Sequence, residues 1–169
     1  IGSYLTENIH KIKKIKEVIL LDNFKSQRYF SLFNLKKKPK KNFFNIDVSK
    51  PNSLTKFKNV DLIIHCASLT NAEGSFSVKK EMFKNNVNCM KNVIDFCIKK
   101  KTKLIHISTD EVFGSLKLNK KKFNYSSNYD PKSPYSASKA SSEHIVNSFK
   151  NTYGIEATVI NCSNNYGPF

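Results

Sequence analysis

The sequence predicts an α/β fold in which helices cover both faces of a parallel sheet, giving three layers. Short apolar runs alternate along the chain with longer stretches whose apolar residues recur every three or four positions. Strands that alternate with helices in this way are typical of parallel sheets buried on both sides. Because such sheets bind ligands at the carboxyl ends of their strands, we expect the functional groups to lie there.

The apolar runs predict five strands, separated by helical stretches. The strands are Glu17–Asp22, a weaker run at Asn42–Ile46, Asp61–Cys66, Lys103–Ser108 and Ala157–Cys162. The helices run from Ser3 to about Lys13, from about Val78 to Lys101, and from Ser136 to Tyr153. In the second helix one apolar stripe is expected, formed by Phe83, Val87, Met90, Val93, Ile94 and Cys97.

The composition predicts a single domain, residues 1–169, without a membrane segment or a disulfide framework. A chain of 169 residues is long enough for a sizeable core. No run reaches the ~18 apolar residues of a membrane helix, and no charged-then-apolar leader is visible. The four cysteines lie far apart, which argues against a zinc site and fits a reducing cytoplasm; they are Cys66, Cys89, Cys97 and Cys162.

The net charge of +16 suggests a nucleic-acid partner, but the residue types favour a solvated lysine surface. Among the 29 basic residues only Arg28 is an arginine, the residue that makes bidentate contacts with bases and phosphates. Asparagine is also abundant, with 20 residues, which indicates a compositional bias of the whole chain. We therefore expect no nucleic-acid partner and assign the lysine runs within 36–41 and 120–122 to exposed loops.

Two clusters carry the candidate chemistry. Thr109, Asp110 and Glu111 directly follow a predicted strand, and two adjacent carboxylates resist joint ionisation, so one can act as acid and the other as base. A turn or helix cap explains the same residues equally well. Tyr135 and Lys139, four apart at a helix start, share one face, where an ammonium group lowers a phenol pKa. In so lysine-rich a chain that spacing also arises by chance.

Two weaker signals lie at other predicted strand ends. The segment Cys162–Pro168 holds adjacent Asn164 and Asn165, which suit hydrogen bonds to two ligands but also suit an asparagine-rich turn. Near the start of the chain, Gly2 opens a helix and Asp22 ends the next strand. A helix start favours a pyrophosphate, and an acid at that distance favours a ribose diol.

In this order and at these spacings, the motifs resemble the extended short-chain dehydrogenase/reductase family, and within it the nucleotide-sugar 4,6-dehydratases. The Asp110–Glu111 pair favours a dehydratase over the epimerases of the same fold, which usually lack it. The matching stretches cover nearly the whole chain: Ile1–Ser3, Leu21–Asn23, Asn45–Asp47, Asp61–Ala67, Asn86–Val87, His106–Gly114, Ser133–Ala140 and Asn161–Pro168. The resemblance implies a Rossmann-like, doubly wound parallel sheet that lacks the family's first strand and C-terminal sugar-nucleotide domain.

The resemblance also implies a mechanism on a nucleotide-activated glucose with NAD. Tyr135 takes the proton of the sugar 4-hydroxyl as hydride leaves C4, Lys139 lowers the Tyr135 pKa, and Thr109 positions the 4-oxygen. Glu111 then removes the C5 proton and Asp110 protonates the departing 6-hydroxyl, after which hydride returns at C6. The expected product is a 4-keto-6-deoxy sugar.

The cofactor and substrate residues are likewise implied by the resemblance. NAD is expected to contact Ile1 and Gly2 through its pyrophosphate, Asp22 and Asn23 through its adenosine ribose, and Asp47 and Val48 through its adenine. Cys66, Ala67 and Ser68 are expected to line the cofactor. Tyr135, Lys139 and Asn165 are expected near the nicotinamide. The sugar is expected to contact Thr70, Thr109 and Asn164. The sequence departs from the family at Ser68–Leu69, Gly74 and Cys89–Met90.

Two other functions fit the sequence. One is a sugar-nucleotide epimerase or decarboxylase of the same fold. The other is a non-catalytic basic binding protein, which the retention of Tyr135, Lys139 and Glu111 disfavours. For the intact enzyme we expect a cytoplasmic homodimer without metal, nucleic acid or membrane partners, and we expect the isolated fragment to be inactive.

Overall fold

The computed structural model describes residues 1–25, 32–33, 35–70, 74–116 and 122–166. Arg28, part of the lysine run at 120–122 and the Gly-Pro end of the asparagine motif lie outside the described residues. The chain forms two compact units, one of residues 1–48 with the chain end from Asn165, the other Ser49–Asn164. Among the described helices, none combines the length and apolar character needed to cross a membrane.

The first unit contains one short helix and a pair of parallel strands. Helix α1 is Gly2–Asn8, followed by a 3-10 turn at Ile9–Lys11. Strands β1, Glu17–Asp22, and β2, Lys40–Asn45, are paired from their first to their last residues. Helix α1 ends earlier than the sequence predicts because the Asn8 side chain donates to the Tyr4 carbonyl at 2.9 Å and Ile12 is extended.

The second unit contains a three-stranded parallel sheet and two long helices. The strands are β3, Leu62–His65, β4, Lys103–Thr109, and β5, Ala157–Cys162; the helices are α2, Lys79–Lys100, and α3, Pro134–Tyr153. The strand order is β3-β4-β5, with His65 opposite His106 and Thr109 opposite Cys162. Cys66, Ser108 and Cys162, the last residues of the three predicted strands, thus lie within one residue of the carboxyl ends of neighbouring parallel strands.

The core of the second unit lies where α2 and α3 pack against each other and α3 packs against β4 and β5. On β4 the side chains of Leu104, His106 and Ser108 are buried. The apolar stripe of α2 is confirmed in its second half, at Met90, Val93, Ile94 and Cys97, all at most 2% exposed. In the first half the prediction is wrong, because Phe83 is 44% exposed whereas Met82 is buried.

Helix α3 begins two residues before the predicted Ser136. Ser133 caps it, accepting from the Ser136 amide at 3.0 Å, while the Ser136 hydroxyl accepts from the Ser133 amide at 3.0 Å. Pro134, which is well suited to a first helical position, completes this start. The cap sets the helix so that Tyr135 lies in its first turn. The four cysteines are all free thiols.

Candidate active site

The end of β4 turns sharply and presents two carboxyl groups. Thr109 ends the strand, and its hydroxyl accepts a hydrogen bond from the Glu111 amide at 3.3 Å, capping the 3-10 turn Asp110–Phe113. Thr109 is 8% exposed, whereas Asp110 and Glu111 are half-buried. The cap therefore places the two carboxyl groups beside the strand end, and the structural interpretation of this motif as a cap is confirmed.

Helix α3 brings a phenol and an amine to the same strand end. Tyr135 is 8% exposed, and the Thr109 side chain interacts electrostatically with its phenol. Lys139, one turn later, is 4% exposed and donates through Nζ to the Ile107 carbonyl at 2.6 Å. The structure thus places Tyr135, Lys139 and Thr109, three of the residues singled out in the sequence, around the end of one strand.

The electrostatics of Tyr135 differ from the sequence expectation. Burial raises the pKa of Tyr135, the Glu111 charge raises it further, and the Thr109 side chain opposes both effects. The net shift is therefore the reverse of the lowering expected from the sequence, because burial and the Glu111 charge dominate the Tyr135 pKa. A phenol in these surroundings is held protonated at neutral pH.

Two further groups at this site have shifted pKa values. Burial raises the pKa of Glu111, and the adjacent Asp110 charge raises it further, as expected for neighbouring carboxylates. Burial lowers the pKa of Lys139 to about 8, opposed first by the charge of Glu143. At pH 7 most Lys139 side chains therefore keep their positive charge.

Asn86 connects the loop after β3 to α3, a role that the sequence did not indicate. Its Oδ1 accepts from the Leu69 amide at 2.8 Å, and its Nδ2 donates to the Leu69 carbonyl at 3.1 Å and the Ser138 hydroxyl at 2.9 Å. Ser138 in turn donates to the Tyr135 carbonyl at 2.7 Å. The available signal was a polar residue four positions from Met82 and four from Met90, and these contacts explain why Asn86, not Val87, is buried.

The remaining predicted residues of the second unit lie on the loops that follow β3 and β5. Cys66, Ala67 and Ser68 are half-buried and directly follow β3. Thr70 and Asn164 are exposed. These loops leave the same edge of the sheet as Thr109, because β3, β4 and β5 are parallel neighbours.

In the first unit, the predicted cofactor residues lie at the start of α1 and at the strand ends. Asp22 ends β1, and its carboxylate accepts from the Phe24 amide at 2.7 Å; Asn23 similarly accepts from the Lys25 amide at 3.2 Å. Asp47 lies 3.9 Å from the Lys25 ammonium group, between Oδ2 and Nζ. Of the others, Val48 is buried, and Ile1, Gly2 and Asn165 are exposed.

The chemistry of these groups suits a dinucleotide. The first amides of α1, at Gly2 and Ser3, have no intrahelical acceptor, and Ile1 has no polar side chain with which to cap them, so they suit a pyrophosphate. Asp22 offers carboxylate oxygens to a ribose diol. In the second unit Lys139 supplies a buried cation and Tyr135 a phenol.

Two lysine-lined cavities lie away from these residues. One of about 460 Å³ is bordered by residues preceding β3 and β4, including Lys58, Lys101 and Lys103. Another, of about 770 Å³, lies in the first unit beside the start of β2. Both lie at the amino ends of strands. The strand ends that carry Thr109 and the adjoining loops, not these cavities, hold the residues suited to catalysis.

Beneath the site, His65 and His106 form a buried, uncharged pair. Their Nδ1 atoms are 3.2 Å apart and the rings are stacked at 5.2 Å, so one ring donates and the other accepts. Both Nε2 atoms are buried without a partner among the described residues. Burial, followed by the Lys139 charge, lowers the pKa of His65 to about 3. Burial, followed by the charges of Lys139 and His65, lowers the pKa of His106 to about 2.

This pair predicts a loss of stability in mild acid. A histidine whose folded pKa lies below the unfolded value of about 6.5 stabilises the fold above that pH, and the stabilisation falls as pH drops toward the folded pKa. Between pH 6.5 and 5.5 we expect the free energy of unfolding to fall by about 1 kcal/mol per histidine. Urea unfolding at pH 6.5 and at pH 5.5 measures this change in the free energy of unfolding.

The control for this experiment is an exposed histidine. His10→Gln is expected to keep the wild-type pH dependence, whereas His106→Asn, which removes one titrating ring, is expected to reduce it. Equal pH dependence in His106→Asn and the wild type would show that the pair does not contribute to the acid sensitivity.

Gly114 fixes the chain directly after the two carboxyl groups. Its φ is +82°, and a Cβ there would lie 2.6 Å from the Asp130 carbonyl oxygen. Asp130 also donates from its amide to the Val112 carbonyl at 2.9 Å, so the loop preceding α3 is tied to this turn. Only glycine fits such a close backbone approach.

We expect Gly114→Ala to lower the free energy of unfolding by about 3 kcal/mol, through backbone strain plus the clash with Asp130. The matched control is Gly154→Ala, which also has a positive φ, +65°, but nothing within 4 Å of the added Cβ. It is expected to cost about 1 kcal/mol. Equal urea midpoints for the two variants would contradict the close approach.

Known proteins share both this fold and these motifs. A model of the NAD dependent epimerase/dehydratase family matches residues 1–169. The dTDP-glucose 4,6-dehydratase of Mycolicibacterium smegmatis is 36% identical over 110 residues, which cover 64% of this chain and 33% of that protein. That of Neisseria meningitidis is 56% identical over 64 residues, covering 38% and 18% of the two chains.

Solved structures extend the likeness to the whole chain. The dTDP-glucose 4,6-dehydratase of Streptomyces venezuelae, solved with NAD bound, matches 99% of this chain and 53% of its own, with a TM-score of 0.89 and 27% identity. A UDP-N-acetylglucosamine 4-epimerase from Methanobrevibacter ruminantium matches 95% of this chain and 50% of its own, with a TM-score of 0.82 and 25% identity. The chain spans about half the length of these solved structures. With its Rossmann-like parallel strands and a family match along its whole length, the chain belongs to the NAD dependent epimerase/dehydratase family.

Proposed function

We propose that the full-length protein containing this chain is an NAD-dependent dehydratase that converts dTDP-glucose to its 4-keto-6-deoxy product. The observation that carries the proposal is the arrangement around the end of β4: a buried Tyr135 on whose phenol Thr109 and Glu111 act, a buried Lys139 bonded to the Ile107 carbonyl, and the turn bearing Asp110 and Glu111. The similarity to several dTDP-glucose 4,6-dehydratases supports it.

Tyr135, Thr109 and Lys139 act at the sugar C4 oxygen in this proposal. The Tyr135 phenolic oxygen accepts the proton of the 4-hydroxyl, and Thr109 donates a hydrogen bond that keeps the 4-oxygen in place. Because burial and Glu111 raise the Tyr135 pKa, the phenolate needs positive charge near it. Lys139, held by the Ile107 carbonyl, provides such a charge one helical turn away.

Asp110 and Glu111 act on the other side of the sugar. Once C4 is a ketone, the proton at C5 is acidic, and Glu111 removes it. The raised pKa of Glu111 makes its ionised form a stronger base than an ordinary carboxylate. Asp110, adjacent in the same turn, then gives a proton to the departing 6-hydroxyl. One acid and one base are thereby supplied by two consecutive residues.

The cofactor proposal follows the residues already placed in each unit. Ile1 and Gly2, with the amides at the start of α1, bind the pyrophosphate. Asp22 and Asn23 bind the adenosine ribose. Asp47 and Val48 contact the adenine side. Cys66, Ala67 and Ser68 line the cofactor, and Asn165 contacts the nicotinamide side. Thr70 and Asn164 contact the sugar. When bound, NAD+ supplies the acceptor, and later the donor, of the hydride.

A sugar-nucleotide epimerase is the second candidate, because solved epimerases share the fold. The adjacent carboxylates Asp110 and Glu111 favour the dehydratase, since epimerisation at C4 requires no base at C5 and no acid at C6. Assembly as a homodimer and a cytoplasmic location are part of the proposal for the full-length protein.

Product analysis of the full-length protein tests the proposal. With dTDP-glucose and NAD+, mass spectrometry is expected to show a product lighter by one water, and absorbance no net NADH. UDP-glucose, supplied in a parallel assay, tests which nucleobase the sugar-nucleotide substrate must carry. A product of unchanged mass with inverted C4 would establish the epimerase instead.

A further inference from the structure

We propose that Glu143, which has no part in the mechanism above, is a positioning residue that supplies the counter-charge for Lys139 and anchors α3 to the carboxyl ends of β4 and β5. The proposal rests on the proposed function of Lys139. Glu143 follows Lys139 by four residues, as Lys139 follows Tyr135, so the three side chains share one helix face. All three are buried.

The contacts of Glu143 are those of an ionised carboxylate. Three donors from three segments converge on it: Tyr129 OH to Oε2 at 2.7 Å, Asn161 Nδ2 to Oε1 at 2.8 Å, and the Ser108 hydroxyl to Oε1. The residue is 2% exposed. An ionised carboxylate accepts hydrogen bonds and donates none, and its burial is costly without such donors and an opposite charge.

The same contacts reach the predicted catalytic residues. Asn161 donates from Nδ2 both to Glu143 and to the Thr109 carbonyl, at 3.2 Å. Ser108 immediately precedes Thr109 in β4. One residue earlier, the Ile107 carbonyl accepts the hydrogen bond from Lys139. Glu143 is therefore bonded to Ser108 directly and to Thr109 through Asn161, while Lys139 holds Ile107, so the two side chains together join α3 to three consecutive residues of β4.

Several described groups interact electrostatically with Lys139, and Glu143 is the carboxylate among them. The histidines nearby are uncharged, because burial lowers their pKa values far below 7. The other groups are the thiols of Cys66, Cys89 and Cys162. Glu143 thus opposes the burial that lowers the Lys139 pKa. Among the described residues, the titratable groups that interact with Lys139 are Glu143 on its own helix, His65 and Cys66 on or after β3, Cys89 on α2, His106 on β4 and Cys162 on β5.

The test measures the titration of Lys139 directly, in full-length protein with ¹³C- and ¹⁵N-labelled lysine, by NMR. The Lys139 signal is assigned by its loss in Lys139→Arg. In Glu143→Gln, which keeps the size and the hydrogen-bonding oxygen but removes the charge, we expect the Lys139 titration midpoint to fall by about one pH unit. Fewer Lys139 side chains are then cationic at pH 7, so the alkaline limb of kcat/KM moves to lower pH by the same amount.

The matched control is Tyr129→Phe, which removes one hydrogen bond to Glu143 and leaves its charge. It is expected to leave the Lys139 midpoint in place, whereas a merely structural role would make both variants alike. Glu143→Asp, which moves the charge by one methylene, is expected to lower the midpoint by about half as much, and it serves should the Gln variant not fold.

An unchanged Lys139 midpoint in a folded Glu143→Gln or Glu143→Asp variant would overturn the proposal. The NMR readout needs no substrate. A protein with no dehydratase activity but a shifted Lys139 midpoint would therefore refute the proposed function while leaving the role of Glu143 intact.

Discussion

Replacing Tyr135 by phenylalanine is expected to reduce turnover of the full-length protein by about a thousandfold, with no NADH appearing in a single turnover. Hydride leaves C4 readily only when the 4-oxygen becomes alkoxide-like, and Tyr135 is the buried phenol beside Thr109 at this strand end. The loss should lie in the first chemical step. Stopped-flow absorbance of NADH after mixing enzyme, NAD+ and dTDP-glucose measures that step.

The control for Tyr135→Phe is the same change at a solvent-exposed tyrosine. Tyr125 is fully exposed, so Tyr125→Phe removes a hydroxyl without touching the strand end and is expected to keep wild-type turnover. If Tyr135→Phe formed NADH at the wild-type rate, another group would have to accept the proton of the 4-hydroxyl.

The second large effect is expected from removing both carboxylates after β4. Asp110→Asn combined with Glu111→Gln should leave oxidation at C4 measurable but slow the loss of water by about a thousandfold or more. Both carboxyl groups lie in the turn capped by Thr109, and the carboxamides have similar size, so the turn is expected to persist. Single-turnover NADH formation and product mass, followed in parallel, separate the two steps.

Here the control is a carboxamide at a surface position. Glu81→Gln changes an exposed carboxylate of α2 and is expected to leave both steps unchanged. Release of 4-keto-6-deoxy product by the double variant at an undiminished rate would show that the assignment of Asp110 and Glu111 is wrong.

The apolar pattern predicts the fold well because the strands are short, apolar and separated by long helices. Strands β1 and β5 begin and end where the sequence predicts. The first half of α2 is the instructive failure: a stripe drawn from apolar residues alone includes Phe83 and omits Asn86. Asn86 is buried because its amide satisfies the backbone of Leu69, a contact that no local pattern contains.

The candidate site was likewise predicted in part from the sequence, while the rest depends on contacts between residues distant in sequence. Parallel strands end at one edge, so their pattern predicts where Thr109 lies, whereas the meeting of Tyr135 and Lys139 with Thr109 was implied by the family resemblance. Their pKa values depend on burial and on neighbours distant in sequence, which is why the expected lowering at Tyr135 was wrong. Glu143 could not be predicted either, because its donors come from Ser108, Tyr129 and Asn161, on three separate segments.

Deuterium tracing tests the central claim, dehydration at C5 and C6 after oxidation at C4, most directly. The full-length protein is supplied with dTDP-glucose deuterated at C4 and with NAD+, and the product is examined by NMR. The proposed chemistry predicts a 4-keto-6-deoxy sugar that carries the deuterium at C6. Deuterium found at C4 of a sugar that has kept its 6-hydroxyl would contradict the dehydratase and establish epimerisation in its place.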